Sequence, residues 1–138
     1  MRLQTVFLLL LTLAFGARAQ ERFETGELKG FTKSTTEHII ERLERIPAIR
    51  NVEGSVRSNA PTKPLEGVLI EIRGPGTSEK IRSTVSTRQG RFRLGRVPHG
   101  DYTMKVTLNG FRSVVGAISV RRSAEERKPL RIDMLRGA

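Results

Sequence analysis

The chain has 138 residues, with no cysteine, no tryptophan, one tyrosine and two histidines. Without cysteine there can be no disulfide, no all-thiolate metal site and no lipidated N-terminal thiol, so stability has to come from packing. Long apolar runs are missing too. The run Val6–Phe15 covers ten residues, half of what a helix needs to cross hydrocarbon. Negative charge is scarce: 14 Asp and Glu stand against 25 Lys and Arg, a net charge of +11. No Ser–His–Asp set, glycine-rich phosphate loop or carboxylate pair stands out, so the residues offer no catalytic inventory and call for no cofactor.

What is present begins with an export signal. Met1-Arg2, the apolar run to Phe15 and Ala17-Arg18-Ala19 form the positive start, apolar centre and A-x-A ending of a secretory signal peptide. Residues 1–19 are expected to be removed by cleavage after Ala19, leaving a periplasmic or secreted protein. Residues 20–50 read as a flexible lead carrying one helix. Ser34-Thr35-Thr36-Glu37 fits a capping box. Ile39, Ile40, Leu43 and Ile46 recur at helical spacing, Glu41 precedes Arg45 by four residues, and Pro47 stops the run. An amphipathic helix over about 35–45 is expected, its stripe covering either the chain's own core or a partner protein docked through Ile39 and Leu43.

From Asn51 the apolar period falls to two. Val52, Gly54 and Val56 alternate with polar neighbours, as do Val68, Ile70 and Ile72. Lys80–Thr87 reads as a weaker strand with Ile81 and Val85 facing inward. The organising stretch is Thr87–Phe111: a turn at Gln89-Gly90, a strand Arg91–Leu94, a turn Val97–Asp101, then Tyr102–Leu108. In that last strand Tyr102, Met104, Val106 and Leu108 face one way and Thr103, Lys105 and Thr107 the other, the pattern of a half-buried strand. Val114, Gly116, Ile118 and Val120 share a face, as do Leu130, Ile132 and Met134, with a charged loop from Arg121 to Pro129 between them. Seven short strands with regular turns predict an antiparallel sandwich. Tyr102 is expected to be a core ring whose hydroxyl bonds to backbone at a strand corner, and Phe92 and Phe111 are expected in the core.

The run G-R-F-R-L at 90–94, P-H-G-D-Y-T-M-K-V at 98–106 and G-F at 110–111, with Pro64–Ile72 upstream, resembles the carboxypeptidase regulatory-like domain. The resemblance covers about residues 51–135 within a domain placed at 51–138. It implies a transthyretin-like, prealbumin-like seven-stranded Greek-key β-sandwich that serves as an accessory, non-enzymatic module. It also draws the eye to His38-Ile39-Ile40-Glu41, which matches H-x-x-E, the first zinc pair of the metallocarboxypeptidases. The only other histidine, His99, lies in a turn, so no third ligand is expected and no metal is assigned. Leu135-Arg136-Gly137-Ala138 faintly echoes the ending of the hydroxyisourate hydrolases, which share the fold. The Tyr and Ser of that ending are replaced, and a small transthyretin-fold hydrolase is the remote alternative. Calcium-binding turns and Lys–Asn isopeptide bonds, known in related domains, lack their residues here: Arg88 and Gln89 occupy the turn, and Val52–Arg57 holds no lysine.

Residues 20–50 hold six basic and six acidic residues, whereas 51–138 hold 17 basic and 8 acidic, a balance of +9. Arg57, Arg73, Arg82, Arg91, Arg93 and Arg131 fall on outward strand positions and form the candidate binding face. An exported chain with no exposed aromatic to stack on bases is not expected to bind nucleic acid. The expected partner is an envelope protein, or an anionic polysaccharide or lipid head group, with any membrane contact peripheral. A related expectation is an accessory domain docked on an outer-membrane receptor or transporter.

Overall fold

β-Branched and other apolar residues at every second position favour pleated strands that bury one side, and such strands dominate the chain from Val52 onward. The computed structural model describes residues 28–35, 40–75, 79–122 and 129–137. The chain divides at Gly30, and every strand belongs to the unit from Phe31 onward. The strands are β1 (Ile40–Arg42), β2 (Ala48–Ile49), β3 (Val52–Ser58), β4 (Leu69–Arg73), β5 (Arg82–Val85), β6 (Arg91–Leu94), β7 (Gly100–Thr107), β8 (Ser113–Val120) and β9 (Leu130–Met134). One sheet runs β1-β8-β7-β4-β5, with β2 also on β8; the other runs β6-β3-β9. Among the described residues there is no helix.

The two sheets share one core. Val52, Val56, Phe92, Leu94, Leu130, Ile132 and Met134 line it from the small sheet. Ile70, Ile72, Met104, Val106, Val114, Ile118 and Val120 line it from the large one. Each such side chain contributes about 1.5–3 kcal/mol on burial, which makes a disulfide unnecessary. Tyr102 and Phe111 pack at the margin of this cluster, and the Tyr102 hydroxyl donates to the Pro98 carbonyl at 2.6 Å. Gly90, at φ 75°, closes the turn before β6, and a Cβ there would stand 2.4 Å from the Val56 carbonyl oxygen. Only glycine fits such a site.

Several expectations are corrected. Among the described residues β1 and β2, at 40–49, add to the strands from Val52 onward and bring the number to nine. The sheets are mixed: β3 pairs β9 in parallel, and β1 and β2 both pair β8 in parallel. The helix over 35–45 is replaced, in its described part, by β1. Ile40, Glu41 and Arg42 register with Ser113, Val114 and Val115, and the Leu43 N–H donates to the Val115 carbonyl at 2.9 Å. An eleven-residue helix is marginal alone, whereas the β8 edge offers a ready ladder that satisfies the same backbone groups. Leu43 turns to the core and lies over Gly116, where a Cβ would stand 2.6 Å from Leu43 Cδ1. The Ser34 hydroxyl accepts from Ser113 at 3.3 Å, while the Glu37 of the expected capping box lies outside the described residues. The expected signal peptide, His38 and Ile39 lie outside the described residues.

The two sides of β7 also differ from expectation, because Lys105 and Thr107 are as buried as Met104 and Val106. The cause is a cover laid over the outer side of the large sheet. Thr32 donates from its N–H to Glu71 Oε1 at 3.0 Å and from its hydroxyl to Oε2 at 3.3 Å, and Phe31 lies under the Arg73 guanidinium. Val85, expected inside, is exposed. Ser86 sets that phase: its hydroxyl accepts from the Val68 N–H at 2.9 Å and donates to the Leu65 carbonyl at 2.7 Å. With Ser86 buried, Thr84 and Arg82 take the side shared with Ile70 and Ile72.

Candidate binding surface

Strand alternation aims every second residue of β3, β6 and β9 away from the core. On that outer face Ser55 registers with Arg91 on one side and with Arg131 on the other. Two strand spacings place the Cα atoms of Arg91 and Arg131 about 10 Å apart, separated only by a serine. Both arginines are exposed, and neither has a carboxylate partner among the described residues. The rows on either side are balanced. Arg57 Nε donates to Asp133 Oδ1 at 2.7 Å, and Arg93 stands 3.9 Å from Glu53. Such exposed pairs contribute about 0–1 kcal/mol and serve mainly to orient the side chains.

The six candidate arginines therefore separate. Arg57, Arg91, Arg93 and Arg131 share the outer face of the small sheet. Arg82 does not join them there. It registers with Ile72 at the edge of the large sheet, and its Nη1 donates to the Arg96 carbonyl at 2.7 Å. A groove nonetheless brings Arg82 and Arg93 to one place, the seam where β5 and β6 meet. Arg73 is not on the surface at all. It is 5% exposed, with its guanidinium carbon 4.7 Å from the Phe31 ring centroid, a cation–π contact that burial strengthens. Its position on β4 is outward as expected, but Phe31, 42 residues earlier in the chain, covers it.

The partner-docking residues fare differently. Leu43 is occupied by its own core, and Ile39 lies outside the described residues. Glu41, the acid of the H-x-x-E pair, accepts from Arg112 Nη1 at 2.8 Å. Among the described residues no three His, Asp or Glu side chains cluster as metal ligands would. Sequence reasoning missed Lys80 and Arg96 as members of the seam. Both belong to the basic run around Lys80–Arg96, whose weak alternation hid which residues face the groove.

The sequence over residues 51–134, more than half of the chain, matches the model of one family, the carboxypeptidase regulatory-like domain. The chain belongs to the carboxypeptidase regulatory-like domain family. Domains of this family are β-sandwiches, regulatory and generally non-catalytic. No curated protein matches the chain. The family's segment begins at Asn51, so β1, β2 and the Phe31–Ser34 cover are additions that this carboxypeptidase regulatory-like domain packs onto its larger sheet.

Proposed function

We propose that the chain is an exported, non-enzymatic module of the cell envelope that holds an anionic polysaccharide on the outer face of its small sheet. The observation that carries this reading is the Arg91–Ser55–Arg131 row. Among the described residues these two guanidiniums have no carboxylate partner and stand across a small residue of one sheet, so their fork-shaped donors can converge on carboxylate or sulfate groups. The paired rows of Arg57 with Asp133 and Arg93 with Glu53 on either side leave the net positive charge of the face with Arg91 and Arg131. Export is supported by Met1-Arg2, the Val6–Phe15 run and the A-x-A ending of residues 17–19. Capture of an envelope protein through an amphipathic helix loses its support, since Ile40–Arg42 is a strand and Leu43 is turned inward.

The test is binding of the mature protein to polygalacturonate and to heparin, with anionic lipid vesicles in parallel. Affinity for the polysaccharides should fall steeply between 50 mM and 300 mM salt, as exposed charge pairs are screened. Replacing Arg91 and Arg131 together by serine should weaken binding about tenfold or more, the order expected for losing two charged hydrogen-bond donors, with the unfolding midpoint unchanged. Retention that ignores the double substitution would sink the assignment, and a response to vesicles alone would move it to lipid head groups.

A further inference from the structure

The large sheet ends in β5, and among the described residues nothing pairs with its other side. In an antiparallel ladder, residues alternate between bonding inward to the neighbour and pointing both backbone groups away. The Ser86 N–H donates to the Val68 carbonyl at 2.9 Å. Counting back from that bond, Thr84 and Arg82 bond inward to Ile70 and Ile72, while Ser83 and Val85 turn their N–H and C=O to the open side. Both residues are exposed, Val85 at 55%. An open row of this kind is a template for another strand unless something blocks it.

Beside the row lies the seam between the sheets, a groove of about 360 Å³ lined by Lys80, Ile81, Arg82 and Thr84 on one side and Arg93 and Leu94 on the other. Residues 79–96 carry six basic side chains and one carboxylate, Glu79, whose side chain lies against Gly74. Arg96, held at φ 41°, turns its carbonyl to Arg82 and so keeps that guanidinium at the groove. Two copies of this edge laid together would bring one basic seam beside another, so the charge disfavours self-pairing and favours an acidic partner.

We propose that β5 is a docking edge for an extended acidic segment of another protein, added as a further strand of the large sheet. The register fixes its pattern. Residues opposite Arg82 and Thr84 share the side of the seam and have to be acidic. Residues opposite Ser83 and Val85 share the side of Leu69 and accept small apolar groups. Backbone bonds to Ser83 and Val85 supply the hold, and the alternating carboxylates supply the choice. This edge is separate from the Arg91–Arg131 row, so either assignment can fail without the other.

The experiment uses the full mature chain and a capped peptide alternating valine and glutamate over seven positions, followed by backbone amide shifts. Shifts should concentrate at Ser83 and Val85. Ser83→Pro removes an N–H that no neighbouring strand uses, a substitution an edge tolerates, and should abolish binding; Arg82→Glu should weaken it tenfold or more. A peptide N-methylated at alternate residues, and one with the same composition in two blocks, should both fail to bind. The Arg91→Ser, Arg131→Ser protein should bind the alternating peptide as before. Equal binding of the N-methylated or block peptide overturns the proposal, as does an Arg82→Glu protein that binds undiminished. Concentration-dependent shifts at Ser83 and Val85 without peptide also overturn it, by giving the edge to a second copy.

Discussion

Glu71 is 5% exposed, its carboxylate bound by the Thr32 backbone and hydroxyl, and it stands in register with a Lys105 that is 1% exposed. Charged groups are kept from water only where partners offset the desolvation. Glu71→Ala should therefore cost about 3–5 kcal/mol, read as a lower midpoint in urea, whereas an unchanged midpoint would mean the cover contributes nothing. Ser86 makes a simpler case. Ser86→Ala strands the Val68 N–H and the Leu65 carbonyl in the interior and should cost about 1–3 kcal/mol in the same measurement. The two differ in how far the sequence announces them. A strand's alternation is local, so the inward places of Met104 and Val106 could be read directly. The burial of Lys105 could not, because what covers it begins some 70 residues upstream.

At the scale of elements, β6, β7 and β9 were legible, since each alternates in sequence and is bounded by turn residues, whereas β8 breaks the alternation at Val114-Val115 and was marked by its apolar content. The phase of β5 was not. Ile81 and Val85 lie four apart and fit either helical or strand spacing, and neither outweighs the two hydrogen bonds that pull Ser86 inside. That one-residue slip put Arg82 on the wrong side. The segment at 40–43 misled for a related reason: Ile40 and Leu43 satisfy a helical stripe, but the unpaired edge of β8 offered a stronger use for the same backbone. The gap that admits Leu43 is Gly116. Gly116→Ala places a methyl 2.6–2.8 Å from three Leu43 side-chain atoms, overpacking that should cost about 1–3 kcal/mol. A double-mutant cycle with Leu43→Ala should recover part of that loss, and strict additivity would show that the two residues do not meet.

For the whole molecule, the family segment and the packed unit are not the same length. The family begins at Asn51, yet Leu43 and Ile49 pack against the core and Phe31 and Thr32 cover the charged row on the large sheet. A chain cut to 51–138 should therefore unfold at clearly lower denaturant than one cut to 31–138. Losing Leu43 and Ile49 alone removes about 3–6 kcal/mol of burial. Equal midpoints for the two would show that the upstream residues only decorate the sandwich. The candidate site was half legible at this scale. Outward arginines on β3, β6 and β9 follow from alternation, but which of them stand free depends on Glu53 and Asp133, brought alongside by register across distant strands.

The parallel pairing of β3 with β9 joins Gly54 to Leu130 and Ser58 to Met134, so the small sheet cannot close until β9, far along the chain from β3, has been made. Until then Val52 and Val56 lack the side-by-side cover that Leu130, Ile132 and Met134 give in the finished core. Long-range closure of this kind places folding in the millisecond-to-second range. It leaves β3 short of one neighbour, and the small sheet incomplete, for as long as β9 is absent.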